Sequence, residues 1–447
     1  MLREDTRLHG PVRGADPGHG PGGVPLFARI GRSLYHLRAM SRVFAGVALC
    51  LLVTAGVRAQ TPVPPATRAE ALEAARAARE RALGVERRNL VERTLFFVEE
   101  KRLLERLNPP QGFSPAVGSF TRGSGFGVGI GYRRRPASGP LAFNLSAAVT
   151  HRAYKTAQVT VSAPRVGGLP LELAAGTRWY DYTQEDFFGL GSDTSRDDRI
   201  SFSLTGLDTF AQVMARKAGW FVMRGRAGVH RFDVGPGTDR RFPSIEQRFA
   251  DPVAAGLLDT PTLTYGEAGL GIDTRDQPGN TRGGGLYNLS AGMFRDGQAG
   301  GFDFNRIDLT AMHVIPIFDK KRGLAFHAAV SHVDPVGASR APFFLLPTVG
   351  GADSLRGYRE FRFRDAAAVT LNAEYRWEAF SGLDLALFVD AGDVGPTWRS
   401  LVGARLKSSW GMGFRFNTNR RVFLRIDVAG GREGPRIWTA LGPVFRR

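Results

Sequence analysis

Cysteine is all but missing from this chain: Cys50 is the one cysteine in 447 residues. That excludes an internal disulfide framework and a cysteine-based zinc site. Membrane-spanning helices are missing too. The conspicuous apolar run, Val43–Val57, has 15 residues, short of the roughly 20 that a spanning helix needs. Acids are outnumbered, 42 against 60 Lys and Arg, for a formal charge of +18. Histidine is sparse, and only His151, His230, His313, His327 and His332 lie beyond residue 60. His327 and His332 fall on opposite faces of any strand, so they cannot share a metal. No nucleophile motif joins His332 and Asp334. GFGVGIG (Gly125–Gly131) is followed by no helix, so it is no phosphate loop. These gaps predict no enzyme, no cofactor and no metal.

What is present begins with a leader. Met40-Ser41-Arg42 precedes the apolar run, and Val57-Arg58-Ala59 closes it on small residues, the layout of a secretory signal cut before Gln60. Residues 1–39, rich in Gly, Pro and Arg, then read as an upstream extension, and 40–59 as the signal peptide. The remainder holds 52 basic and 39 acidic side chains, a balance of +13. An exported chain rarely meets nucleic acid, so the arginines are expected to line water or face anionic lipid. Residues 60–111 read as a periplasmic segment. A Pro-rich spacer leads into a helix over 67–107, built of Ala, Glu and Arg with Glu–Arg pairs at helical spacing, and Pro109-Pro110 ends it.

Residues 112–447 read differently. Segments of about 10–15 residues alternate apolar and polar side chains between turn residues. Val369–Trp377 has Val, Leu, Ala, Tyr and Trp at odd positions and Thr, Asn, Glu and Arg at even ones. Leu383–Asp390 and Ala404–Phe416 alternate likewise. A period of two means two faces. One apolar and one charged face on long strands, behind a signal peptide, predicts an all-β fold: a transmembrane antiparallel barrel of about 16 strands, lipid outside and a polar lumen inside, in the outer membrane. Sixteen segments can be drawn, from 113–121 to 402–416, 421–430 and 435–445. If the first runs outward, the long connections 184–197, 234–260 and 334–365 all fall outside, as such barrels require.

The loop 334–365 contains VGGADSLRGYREF (Val349–Phe361), too polar for a core. Glu374 and Asp390 both fall on the polar register of two strands joined by a tight turn near Phe380–Gly382, so a hairpin brings them within about one cross-strand step. Two close carboxylates call for a cation. Arg356 can fork across carboxylate oxygens where a lysine cannot do so equally well. Gly357 is expected to let the backbone turn sharply. Tyr358 is expected to pack its ring and keep its hydroxyl in water.

Arg356-Gly357-Tyr358 within GGADSLRGY, and Phe388-Val389-Asp390-Ala391-Gly392 as a Phe-x-Asp-x-Gly motif on the thirteenth strand, resemble the outer-membrane assembly and translocation barrels of the BamA/TamA type, also called bacterial surface antigens. EDFFGLGSD (Glu185–Asp193) and DTRDQPGNTRGG (Asp273–Gly284) look similar to that family as well. The resemblance covers roughly 112–445. It implies that the Arg-Gly-Tyr loop folds back into the lumen, that Phe388 and Gly392 belong to its strand motif, that Glu374 is the inward acid of the twelfth strand, and that the barrel opens sideways between its last and first strands. No periplasmic POTRA domain fits the segment 60–111. At the seam, the final strand is expected to contain Gly442-Pro443, where proline cannot donate to a ladder, and to close on Phe445. The reading is a monomeric barrel in outer-membrane lipid, assisting insertion or translocation of client outer-membrane protein, or of lipid, through a lateral seam. The alternative is a solute diffusion channel narrowed by the loop.

Overall fold

The computed structural model describes residue 109 and residues 111–442, apart from 136–138, 249–253, 258–260, 299–300, 319 and 419–420. The upstream extension 1–39, the signal peptide 40–59 and the helix over 67–107 lie outside the described residues, as do Pro443 and Phe445.

Sixteen long strands follow one another around an antiparallel, nearly closed barrel, each hydrogen-bonded to its neighbour in the chain. They are β1 (Gly112–Gly118), β2 (Gly127–Arg134), β3 (Ala142–Thr150), β4 (Lys155–Ala163), β5 (Leu171–Phe187), β6 (Ile200–Lys217), β7 (Phe221–Pro236) and β8 (Thr262–Asp273). The second half holds β9 (Gly284–Asp296), β10 (Phe304–Ile317), β11 (Arg322–Pro335), β14 (Ala367–Phe380), β15 (Leu383–Gly395), β16 (Lys407–Asn417), β17 (Val422–Gly431) and β18 (Gly434–Ala440). Two short strands, β12 (Thr348–Val349) and β13 (Phe363–Arg364), pair with each other inside the loop between β11 and β14. Among the described residues no helix is long and apolar enough to cross a membrane.

Burial inverts the order of a soluble protein. Leu371, Leu387, Val389, Trp410 and Ile437 are exposed, while Glu374, Asp390, Arg415 and Asp427 are at most 2% accessible. Such a surface is stable only where lipid covers the apolar face. The alternation in the sequence is this inversion seen along one chain.

The connections sort as the sequence reading expects. The long ones, 188–199, 237–261 and 336–366, share one end of the barrel, and the other end carries short turns such as 218–220 and 381–382. At the long-loop end, Phe187, Phe202, Phe302, Phe343, Phe344 and Ile245 pack into one buried apolar cluster.

Two boundaries differ from the sequence reading by five residues, 402 against 407 and 445 against 440. β16 begins at Lys407 rather than near 402, because Thr397 caps a one-turn helix, α1 (Trp398–Leu401), and Gly403 turns the chain with φ +74°. The last strand stops at Ala440. Gly442, with φ +95°, therefore lies beyond the strand rather than inside it. Its N–H still reaches the Phe423 carbonyl (3.2 Å).

Candidate functional site: the charged centre beneath the loop

The centre is built on the β14–β15 hairpin. Phe380 pairs with Leu383 across a two-residue turn in which Gly382 takes φ +89°. That register sets Asn372 opposite Asp390 and Glu374 opposite Phe388, so all four side chains face the lumen and the two acids sit one diagonal step apart. The loop 336–366 folds inward onto this hairpin. Val349, Leu355, Tyr358 and Phe363 pack with Ala368 and Val394. Gly392 makes the close approach possible: a Cβ there would stand 2.7 Å from the Val369 carbonyl oxygen and 3.2 Å from Val349 Cγ1.

Arg356 fills the middle. Its Nη2 donates to Asp390 Oδ1 (2.7 Å), its Nε to Asp390 Oδ2 (3.0 Å) and its Nη1 to Glu374 Oε2 (3.0 Å). Its backbone N–H donates to Asp390 Oδ2 (3.1 Å). The guanidinium carbon lies 3.3 Å from the centroid of the Phe388 ring, so Phe388 is the platform on which the cation rests. Burial works against the charge, and Asp390 followed by Glu374 outweighs it, so the guanidinium sits above its already high ordinary range. Asn372 Nδ2 (2.8 Å) and Ser409 Oγ (3.1 Å) donate the remaining bonds to Asp390.

The centre is larger than the triad Arg356, Glu374 and Asp390. Arg415 Nη2 reaches both Glu374 oxygens at 3.1 Å, and Arg376 Nε reaches Oε1 at 2.7 Å. Arg415 Nη1 also donates to Asp427 Oδ1 (2.5 Å), and Arg425 pairs with Asp427 (3.3 Å) and Asp353 (2.9 Å). Four arginines thus face four acids. Arg415, Arg425 and Asp427 were legible only as members of polar strand faces, because nothing in their local spacing points to the loop. Chemically, this arrangement holds a loop: its carboxylates face guanidiniums on several sides.

One expectation is met and one is corrected. The chain does turn at Gly357, where the Tyr358 N–H donates to the Leu355 carbonyl (3.0 Å), and the glycine serves a second need. Its missing Cβ lets the loop lie against the wall, since that atom would be 2.5 Å from Ser409 Cβ and 2.9 Å from the Gly430 carbonyl oxygen. Tyr358 does pack its ring, at 5.3 Å from Phe363. Its hydroxyl is buried rather than wet, because the loop sinks below the surface.

The loop is also held from both edges of the sheet. Trp438 Nε1, on β18, donates to the Arg356 carbonyl (2.6 Å), and Glu433, just before β18, accepts from Arg362 (2.6 Å). From the β1–β2 connection, Arg122 donates to Thr348 Oγ1 (2.9 Å), the Gly350 carbonyl (2.7 Å) and Glu360 (3.2 Å). Burial raises the Glu360 carboxyl, and Arg122 offsets part of that. Among the described residues β1 and β18 themselves form no ladder. The stretch Glu185–Asp193 contacts the same region: Gly191 N–H donates to the Arg364 carbonyl (2.8 Å) and Ser192 Oγ to Asp393 (3.1 Å).

Comparison with known proteins agrees with this architecture. Residues 238–431 match the Omp85 superfamily domain. Among solved structures, BamA from Haemophilus ducreyi lacking POTRA domains 1–3 superposes with a TM-score of 0.56 at 15% identity, covering 74% of this chain and 70% of that one. CdiB from Escherichia coli gives 0.47 at 14% identity, covering 75% and 60%, and CdiB from Acinetobacter baumannii gives 0.42 at 12%, covering 74% and 59%. Comparison with curated proteins returns no match. The resemblance read from the motifs is borne out at the level of this superfamily, and the BamA likeness is one of fold.

Proposed function

Starting from an outer-membrane barrel that carries an Omp85 superfamily domain, we propose that this protein is of the BamA/TamA type and assists insertion or translocation of client outer-membrane protein through a lateral seam between β1 and β18. In this reading the Arg-Gly-Tyr loop is a tether whose anchor is Arg356. The observation that carries the reading is the contrast at the seam. The two edge strands share no ladder among the described residues, yet the loop bonds to Trp438 on one side and to Arg122 on the other. An unpaired edge is a template for a further strand, which is how an extended client segment would engage. Each absent backbone bond removes about 0.5–1.5 kcal/mol of net resistance to opening.

The aromatic cluster around Phe343 and the buried charged centre argue against the rival reading of a solute channel, since both lie where solute would pass.

A disulfide across the seam tests the proposal. A Cβ at position 118 would lie 3.4 Å from Leu441 Cβ, close to the spacing disulfides require. Gly118→Cys with Leu441→Cys, compared oxidised and reduced, cancels any strain at Gly118 itself. The oxidised form is expected to stop client assembly in cells while leaving planar-bilayer conductance unchanged. An oxidised protein that still assembles clients overturns the seam.

A further inference from the structure

The lipid-facing wall carries a feature that neither the seam nor the loop uses. Across β10, β11, β14 and β15 the outward row runs Ala311, Ala328, Leu371, Ala391, each the register partner of the next. The neighbouring row towards the short-turn end runs His313, Phe326, Ala373, Val389. Ile307, Leu309 and Leu289 stand exposed beside it. Here the alanines leave a groove of about 390 Å³.

The groove has a polar foot. His313 stands on the lipid side, and the Tyr287 hydroxyl lies 2.7 Å from its Nδ1. An ionisable side chain facing hydrocarbon is costly and marks a site more often than a structural need. Four residues further along β10, roughly 13 Å at strand rise, the strand ends at Ile317, and Lys320, Lys321 and Arg322 follow at the turn into β11. Lys320 pairs with Asp276 (3.0 Å). Lys321 and Arg322 are exposed and belong to no ion pair among the described residues. Phe318, 72% exposed, stands in the same turn with the Arg322 guanidinium 5.4 Å from its ring centroid.

We propose that this strip is a binding site for one anionic phospholipid of the periplasmic leaflet. From the rim inward it presents two cations in no ion pair among the described residues, an aromatic ring, and an apolar groove entered past a polar Tyr–His pair. That order matches phosphate, interface and acyl chain. The span fits the ~15 Å depth of one hydrocarbon leaflet, half of the ~30 Å core. Basic pockets beside a membrane wall select anionic headgroups, and the alanine groove gives the chain a fixed path instead of the rough belt on either side.

The test is native mass spectrometry of the full protein released from nanodiscs that contain phosphatidylglycerol and phosphatidylethanolamine. The wild type is expected to retain one phosphatidylglycerol in preference. Lys321→Gln with Arg322→Gln should lose that preference, by roughly fivefold per cation removed, while still retaining lipid. Ala328→Phe fills the groove and should abolish retention of both lipids; Ala373→Leu fills it from the next strand should the first variant fail to fold. Equal retention of the two lipids by the wild type, or retention unchanged in the groove-filling variant, overturns the site.

Discussion

Gly357 and Gly431 meet backbone to backbone. A Cβ on Gly431 would stand 2.9 Å from the Gly357 carbonyl oxygen, and one on Gly357 would stand 2.9 Å from the Gly431 Cα. Two missing side chains let the loop touch the wall, and the contact sets the depth at which Arg356 enters the centre.

Gly357→Ala is therefore expected to lift the loop. The nearest obstacles are Ser409 Cβ and backbone atoms of β17, none of which can swing away. A cost of about 1–3 kcal/mol is expected for this overpacking. Gly266→Ala is the control, because nothing lies within 4 Å of that added Cβ. Urea unfolding followed by heat-modifiable gel migration compares the two. Equal stability of both variants would show that the loop has room to spare.

Arg356→Ala leaves Asp390 facing Phe388 and Asn372 without its cation, in a site only 1% accessible. Breaking a buried pair of this kind costs about 3–5 kcal/mol. Glu374 keeps Arg415 and Arg376, so Asp390→Asn in the Arg356→Ala background should recover more stability than Glu374→Gln. Arg356→Lys should recover only part, since one ammonium cannot fork to both acids. Urea midpoints of the four variants decide this, and equal rescue by the two acid substitutions would mean that the charge is shared rather than seated on Asp390.

Trp438→Phe removes the 2.6 Å bond to the Arg356 carbonyl and leaves a smaller aromatic ring in place of the indole. Hydrogen exchange of β18 should quicken by the equivalent of about 0.5–1.5 kcal/mol, while β9 stays unchanged. Unaltered exchange in β18 would show that the loop does not steady the edge strand.

Acid should loosen the turn 274–283. Burial alone would raise the Asp276 carboxyl, but N–H donors of Arg282, Gly283 and Gln277 and the Lys320 ammonium hold it below its ordinary value of 3.8. A lowered carboxyl contributes stability above its unfolded pKa and loses it as pH falls through the folded one. Thermal unfolding of the wild type should fall towards that of Asp276→Asn as pH drops below about 4. A difference between the two that holds constant into strong acid would contradict this.

Much of this molecule was readable along the chain. The sixteen strands follow from a period of two, because strand faces alternate residue by residue and lipid demands apolar side chains on one of them. Glu374 and Asp390 could be brought together because a two-residue turn fixes hairpin register. Arg356 could be assigned to them because two acids need a forked cation. The end of the last strand was misread: Gly442-Pro443 reads as a weak point within the strand, whereas the strand already stops at Ala440.

The tertiary structure decided what lies against the folded-in loop. Arg415, Arg425 and Asp427 reach the centre from β16 and β17, and Trp438 from β18, only because the barrel curves those strands round to face a loop that returns from the other side. Gly357 is small for the sake of Gly431, 74 residues away, and Tyr358 is dry because the loop sinks to that wall. Local spacing carries the face a side chain points to and its hairpin neighbour. It does not carry the path of a 31-residue loop, 336–366, through the lumen, which is set by the packing of many strands at once.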